Sequence, residues 1–255
     1  MTITFTGKIA ATGLTGYQQE TGNPAGFTVV PDPLGEAGNV LRAHMAFGDA
    51  LAAGSYRSEI NIDPIRTAVG ALGWYWARVQ FPATWQVGGN PVTVFQVHDT
   101  PDGGDPVRRP PFELAVDGDM LEFVSSAAIS GANDNQANRI VWARPLTQYL
   151  GRWVDFVMQV TWNYTSGGAL KVWLDRRCVF VESGQKNCYN DVAGLYPKLG
   201  VYCPLNLSLA IPERTVYHQG LVVGDNAYST FDGFMSAASI AQTELETVGF
   251  RGSVS

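Results

Sequence analysis

Apolar and polar positions alternate with a period of two along most of this chain. Tyr75, Ala77, Val79 and Phe81 interleave with Trp74, Trp76, Arg78 and Gln80, and the run from Trp153 to Trp162 alternates in the same way. Successive side chains of an extended strand point to opposite faces, so this period predicts half-buried β-strands. Val92 to His98 is a β-branched run that ends at the turn-rich segment Asp99 to Pro106. Phe112 to Val116 runs into Asp117-Gly118, a hairpin signal, and Leu121 to Val124 follows. Ser166-Gly167-Gly168 turns the chain into Ala169 to Leu174. Short strands separated by Gly, Pro, Asn and Asp predict an all-β fold, a two-sheet antiparallel β-sandwich.

The pattern weakens in two places. Ala127 to Ala137 is small and polar and reads as a loop. Phe231 to Thr247 reads as a short helix with Phe234, Ala238 and Leu245 loosely on one face. No Pro/Ser-rich linker divides the chain, and no period of about 20–50 residues repeats, which excludes propellers and solenoids. The expectation is one domain over residues 1–255, with a helical or irregular tail from about residue 229.

Composition narrows the function. With 255 residues, 45% hydrophobic and 16% charged, the chain is globular rather than disordered. A net charge of −6, with Arg108-Arg109 and Arg176-Arg177 as the main basic pairs, excludes general nucleic-acid binding. No apolar run approaches the roughly 20 residues of a membrane span, so membrane insertion is not expected. Met1 to Lys8 lacks the basic and apolar regions of a signal peptide. Of the three cysteines, Cys178 and Cys188 could close a hairpin, leaving Cys203 free, and a reduced compartment explains all three equally well. His44, His98 and His218 are scattered, and there is no His-Glu-x-x-His, Cys-x-x-Cys, Gly-x-Ser-x-Gly or phosphate-binding loop. No metal or organic cofactor is expected. Asp99 to Asp105 has oxygens enough for a structural calcium but not EF-hand spacing, and reads as a solvated turn.

Polar groups interrupt three short strands that should otherwise be apolar. They are Tyr56-Arg57-Ser58-Glu59-Ile60, Phe95-Gln96-Val97-His98 and Tyr196-Pro197-Lys198-Leu199-Gly200-Val201-Tyr202. Residues two apart share a strand face. Arg57 therefore joins Glu59, Gln96 joins His98, and Lys198 joins Tyr202 with Gly200 between them. Ser58, Val97, Leu199 and Val201 face the other way. On one sheet these strands would gather a guanidinium, a carboxamide, an imidazole, an ammonium and a phenol. That set suits proton abstraction next to a carboxylate. Arg57 and Gln96 would neutralise the charge that develops on the carboxylate oxygens. His98 or Tyr202 would take the proton, and Tyr202 would return one to the leaving oxygen. Lys198 would hold the phenol's pKa down or bind a neighbouring anion, and Glu59 lines the same face.

These segments, in this order, resemble the jelly-roll polysaccharide lyases, a group that includes alginate lyases, glucuronan lyases and heparin lyase I-like proteins. Arg57-Ser58-Glu59-Ile60 is similar to their Arg-Ser-Glu-Leu strand, Gln96-Val97-His98 to their Gln-Ile-His strand, and Tyr196 to Tyr202 to their Tyr-Phe-Lys-x-Gly-x-Tyr strand. Gly151-Arg152-Trp153 and Val172 to Asp175 fall in the family's order as well. The resemblance spans roughly residues 40–225. It implies a concanavalin A-like sandwich with a concave substrate groove. It also implies Arg57, Gln96, His98 and Tyr202 as catalytic residues, and Lys198 and Glu59 as substrate-binding ones. The chain departs from the pattern at Pro197, which predicts an irregular or edge strand there, and at Cys203-Pro204, where alginate lyases carry Asn-Gln.

The implied function is cleavage of a uronate-containing anionic polysaccharide by β-elimination, outside the cell or on a virion. The alternative is a non-catalytic carbohydrate-binding or phage structural protein on the same sandwich. A glycoside hydrolase would need two carboxylates across the cleft, and Glu59 has no evident partner.

Overall fold

A computed structural model of the chain describes residues 18–62, 65–130, 136–204, 207 and 210–238, together with the backbone of Ile3–Thr6. Its strands form two antiparallel sheets. In the first, β13 (Arg177–Gln185), β12 (Gly168–Leu174), β11 (Trp153–Thr161), β6 (Leu72–Gln80), β15 (Glu213–Gly224), β4 (Asn39–Ala46) and β3 (Phe27–Pro31) lie side by side, and β1 (Ile3–Thr6) also pairs with β15. In the second the order is β10 (Gln136–Pro145), β9 (Met120–Ala128), β8 (Phe112–Asp117), β7 (Val92–His98), β14 (Tyr196–Cys203), β5 (Tyr56–Asn61) and β2 (Gln18–Thr21). The two-sheet β-sandwich read from the period of two is therefore the fold.

The alternation explains how the sheets pack. Tyr75, Ala77 and Val79 of β6 face the core between the sheets, where Phe95, Phe112 and Phe123 of the second sheet meet Phe156 of β11. Phe156 is the hub. Its ring centroid lies 5.2 Å from Phe95, 5.7 Å from Phe112 and 5.9 Å from Phe123. The other face of β6 carries Trp74 and Trp76. It is covered by a helix over 231–238, here α1. Thr230 caps α1 by accepting from the Gly233 amide at 3.2 Å, and Phe234 stacks on Trp74 at 5.1 Å. Phe234 and Ala238 share the buried face as expected, and Leu245 lies outside the described residues.

One expectation needs correction, and one open alternative is resolved. Ala127 and Ala128 belong to β9, and Gln136 and Ala137 to β10, where they pair with each other. Cross-strand pairing overrides the weak local propensity of small residues. Cys178 and Cys188 form no disulfide: Cys178 is exposed on β13, while Cys188 and Cys203 are buried thiols.

Truncating Phe156 to alanine should destabilise the protein by about 3–5 kcal/mol, because three aromatic neighbours cannot collapse into the void. Urea unfolding of the variant measures this, and a loss below about 1 kcal/mol would contradict the hub role.

Candidate active site

The second sheet brings the three polar strands together. β14 lies between β7 and β5. In register, Lys198 stands opposite Gln96 and Asn61, Gly200 opposite Glu59, and Tyr202 opposite Arg57 and Thr93. Val97, Ile60, Leu199 and Val201 turn into the core. Ser58 turns the same way, and its hydroxyl donates at 2.6 Å to the His44 carbonyl of the first sheet. β14 is therefore an inner strand, not an edge. Pro197 is tolerated next to the start of the strand, where its carbonyl accepts from the Ile62 amide at 3.2 Å. The irregularity falls further along. The β7–β8 register shifts between Thr93 and Phe95, and the β14–β7 register between Leu199 and Tyr202. Such bulges bend the strands. The first also puts Thr93 and Gln96 on one face although they are three residues apart.

Three of the six residues expected at the site, Arg57, Gln96 and Glu59, meet through the Glu59 carboxylate, and a fourth, Lys198, joins them through Glu20. Glu59 is 2% exposed and accepts from the Gln96 carboxamide across β14. Its other oxygen lies 3.5 Å from Arg57 Nη1. Gly200 makes this crossing possible, since it places no side chain between Glu59 and Gln96. Its φ of +146° suits glycine, and an added Cβ would lie 2.1 Å from the Ser58 carbonyl oxygen. Lys198, also buried, donates to both oxygens of Glu20 at 2.9 Å, and Arg57 Nη1 donates to the same carboxylate at 2.9 Å. Burial pushes the Glu59 carboxyl above the usual range, against the pull of Lys198, Arg57 and the Gln96 hydrogen bond. For Glu20, burial pushes the same way, but Lys198 and Arg57 outweigh it and hold the group below that range. Two atoms of the cluster, Arg57 Nε and Gln96 Oε1, are buried without a hydrogen-bond partner among the described residues. Unmet groups of this kind are costly and await a ligand or a change of partner.

His98 and Tyr202 flank this cluster from opposite ends. The His98 ring stacks on Tyr196 with centroids 5.7 Å apart, and its Nδ1 lies 2.6 Å from the Asp99 carbonyl oxygen. A carbonyl only accepts, so Nδ1 carries the proton and Nε2 of the neutral ring holds the lone pair. Tyr202 lies beneath Arg57, whose Cζ is 4.3 Å from the ring centroid, with Ser55 against its hydroxyl. Burial raises the Tyr202 phenol above its ordinary value, and the opposing pull of Arg57 does not cancel it. The phenol therefore keeps its proton at neutral pH. Of the two roles expected of Lys198, the structure gives the binding of a neighbouring anion: its ammonium is bound to Glu20, and the cation over Tyr202 is Arg57.

Several groups at the site were not visible as such in the sequence. Glu20 comes from the edge strand β2, whose register places it opposite Glu59. Glu113 of β8 accepts from Thr93 at 2.7 Å and from Arg109 Nε at 2.8 Å. Behind His98, Asp99 lies 2.8 Å from Arg108, which also bonds Asp105 and Asp191 and covers the Tyr189 ring at 4.3 Å. The Asp99 to Asp105 turn thus directs two carboxylates at a buried guanidinium. His218 of β15 sits on the core side of β14, with Nε2 3.0 Å from the Gly200 carbonyl oxygen. Complete burial lowers its pKa to about 4. The structure buries six of the seven tryptophans and leaves Trp173 partly covered.

One face of this sheet thus gathers paired cations, buried carboxylates, an imidazole and a phenol on a β-sandwich. The model of the polysaccharide lyase family matches residues 8–222, and the chain belongs to that family. The expected activity, cleavage of a uronate-containing polysaccharide by β-elimination, is that of a polysaccharide lyase. The fold is similar to endo-β-1,4-glucuronan lyase from the fungus Trichoderma reesei, at 17% identity and a TM-score of 0.72 over 88% of this chain and 95% of that one. It is also similar to the family 7 alginate lyase A1-II′, at 14% identity and a TM-score of 0.56 over 82% and 93%. An alginate lyase from Pseudomonas aeruginosa gives 14% identity and a TM-score of 0.53 over 82% and 98%. No curated protein sequence matches the chain. Among the described residues no helix is long and apolar enough to cross a membrane.

Two outcomes follow from this packing. Gly200→Ala should push β14 off β5, cost on the order of 3 kcal/mol or more, and remove activity; a crystal structure or melting curve like the parent's would refute the close approach. His218 is the second. Its folded pKa of about 4 lies below its ordinary value, so the unfolded chain binds more protons in between. Its contribution to stability, on the order of 3 kcal/mol, is complete above about pH 6.5 and is lost as the pH falls toward 4. In urea titrations at stepped pH, His218→Gln should show a shallower decline over that window than the parent does.

Proposed function

We propose that this chain cleaves a 4-linked uronate polymer lying along the open face of the second sheet, and that its own residues carry every step. The adjacency of Arg57, Gln96 and Glu59 supports this reading most directly. Arg57 and Gln96 hold the carboxylate of the uronate, and the paired charges around them accept one more anion when Glu59, held above the usual carboxylate range, keeps a proton. The proton on the carbon next to that carboxylate goes to His98 Nε2, the acceptor nitrogen of the tautomer whose Nδ1–H is held by the Asp99 carbonyl. The electron pair forms a C4=C5 double bond, the C4–O4 bond breaks, and Tyr202 gives its proton to O4. Atoms and charges balance without a metal or a redox cofactor.

Base and acid stand on either side of the carboxylate site. Thr93, the partner of Tyr202, and His98 are about 16 Å apart on an extended strand, with the carboxylate site between them. Both rings lean inward when a sugar fills the gap, as catalytic contacts often tighten only in the complex. A polymeric substrate is met outside the cell or on a particle, which fits the expected location. Glucuronan is the first polymer to try, because the similarity in fold to a glucuronan lyase extends over most of both chains.

The measurement is ultraviolet absorbance of the unsaturated product on glucuronan, heparan-type chains, alginate and capsular polysaccharides. Tyr202→Phe and His98→Ala should each lower the rate by about 10²–10⁴-fold, the span of general acid–base catalysis. Binding to one polymer with no product from any would instead support a non-catalytic carbohydrate-binding protein.

A further inference from the structure

Beyond Gln96 the open face continues onto β8 and β9, and its chemistry changes. Glu113, opposite Gln96 in register, and Glu122, opposite Ala115, are both buried acids. Neither Arg57 nor Lys198 is bound to them. A polyanion lying across this stretch would meet carboxylates, and the cation placed over them is Arg109.

Arg109 is held at both backbone ends and by its side chain. Its amide donates to Gln136 Oε1 at 2.8 Å, and its carbonyl accepts from the buried Tyr189 hydroxyl at 2.9 Å. Its Nε donates at 2.8 Å to Glu113, which is itself fixed by Thr93 at 2.7 Å. Thr93 is the cross-strand neighbour of Tyr202 in register, so this chain of bonds ends beside the proposed acid. Burial by itself would lower the Arg109 pKa, but Glu113, Tyr189 and Tyr202 outweigh it, which also places the guanidinium within electrostatic reach of that phenol. The side chain is 39% exposed, and its Nη1 and Nη2 have no protein partner among the described residues. A guanidinium anchored through Nε presents its Nη edge as a two-pronged carboxylate receptor.

We propose that Arg109 is a second anion-binding site of the cleft, holding the carboxylate of a uronate adjacent to the one whose carboxylate sits at Arg57. This inference rests on the lyase reading and names a further substrate contact of the same cleft. Glu113 and Thr93 are positioning residues: they aim the guanidinium and do not touch substrate. The site makes the protein select for consecutive uronates, since a neutral sugar at this position would leave the Arg109 edge unpaired over buried acids.

The test compares the parent, Arg109→Gln and Arg109→Lys on uronate oligosaccharides of increasing length from the polymer that the parent cleaves. Calorimetric binding and melting temperatures are measured alongside. A lost charge-assisted pair should raise KM by about ten- to a hundredfold on oligomers long enough to reach the site. The loss should fall on KM rather than kcat and vanish on the shortest oligomer cleaved. Lysine, which keeps the ion pair with Glu113 but not the fork, should recover only part of it. Losses equal at every length, or confined to the melting temperature, would overturn the site and leave Arg109 as a counter-ion for Glu113 in an active lyase. A parent that neither cleaves nor binds any uronate polymer would overturn the lyase reading, and this inference with it.

Discussion

The cleft depends on one buried carboxylate reaching over a strand that has no side chain at that point. Glu59 on β5 and Gln96 on β7 are separated by β14, and they meet because position 200 is glycine. Any other residue there would strike the Ser58 carbonyl and hold the two strands apart. Once that crossing is made, the rest of the cluster is largely fixed. Arg57 is drawn to Glu59 from the same strand, Glu20 is drawn to Arg57 and Lys198 from the edge, and Tyr202 lies beneath Arg57. Desolvating this many charges is unfavourable unless each is paired. The pairing here is one for one, two carboxylates with two cations, so the cluster is tolerated without being a large source of stability.

Stability comes instead from the aromatic core around Phe156, with two polar links between the sheets behind the site. Ser58 bonds the His44 carbonyl, and His218 bonds the Gly200 carbonyl. Both involve the strand pair that carries the crossing. The backbone under the site is thus tied to the first sheet by groups that never reach the cleft. Such support limits the looseness that costs catalysis when a site is built on unsupported strands.

The sheet architecture was legible because period two is a local property, read strand by strand. The pairing of Arg57, Gln96 and Lys198 was legible for the same reason, once three polar faces had to share one sheet. What local reading missed lies at longer range. Glu20 precedes its partner Lys198 by most of the chain, and only the β2–β5 register shows that they meet. The bulge at Val94 breaks the period, so Thr93 could not be assigned to the face of Gln96 by counting in twos. Ala127 and Ala137 looked like loop because small residues carry little propensity, and only their pairing makes them strand. Pro197 suggested an edge, but the start of an inner strand also tolerates proline. The role of Arg109 was hidden inside an arginine pair whose members part company: Arg108 turns into a buried nest of aspartates, and Arg109 turns over Glu113.

That division also accounts for how an acidic chain can hold a polyanion. A net charge of −6 gives no long-range pull toward such a substrate, and the cations at the cleft are already bound to carboxylates. Attraction therefore acts at contact distance, through donors whose positions the carboxylates fix beforehand. Fixed donors lose little freedom when the substrate arrives, and they act most strongly where water is excluded. The buried acids work as struts for the groups that bind, and they also repel any anion not aligned with those groups. A cleft built this way gives up association rate in return for register, which suits a long chain whose sugars must be placed one at a time.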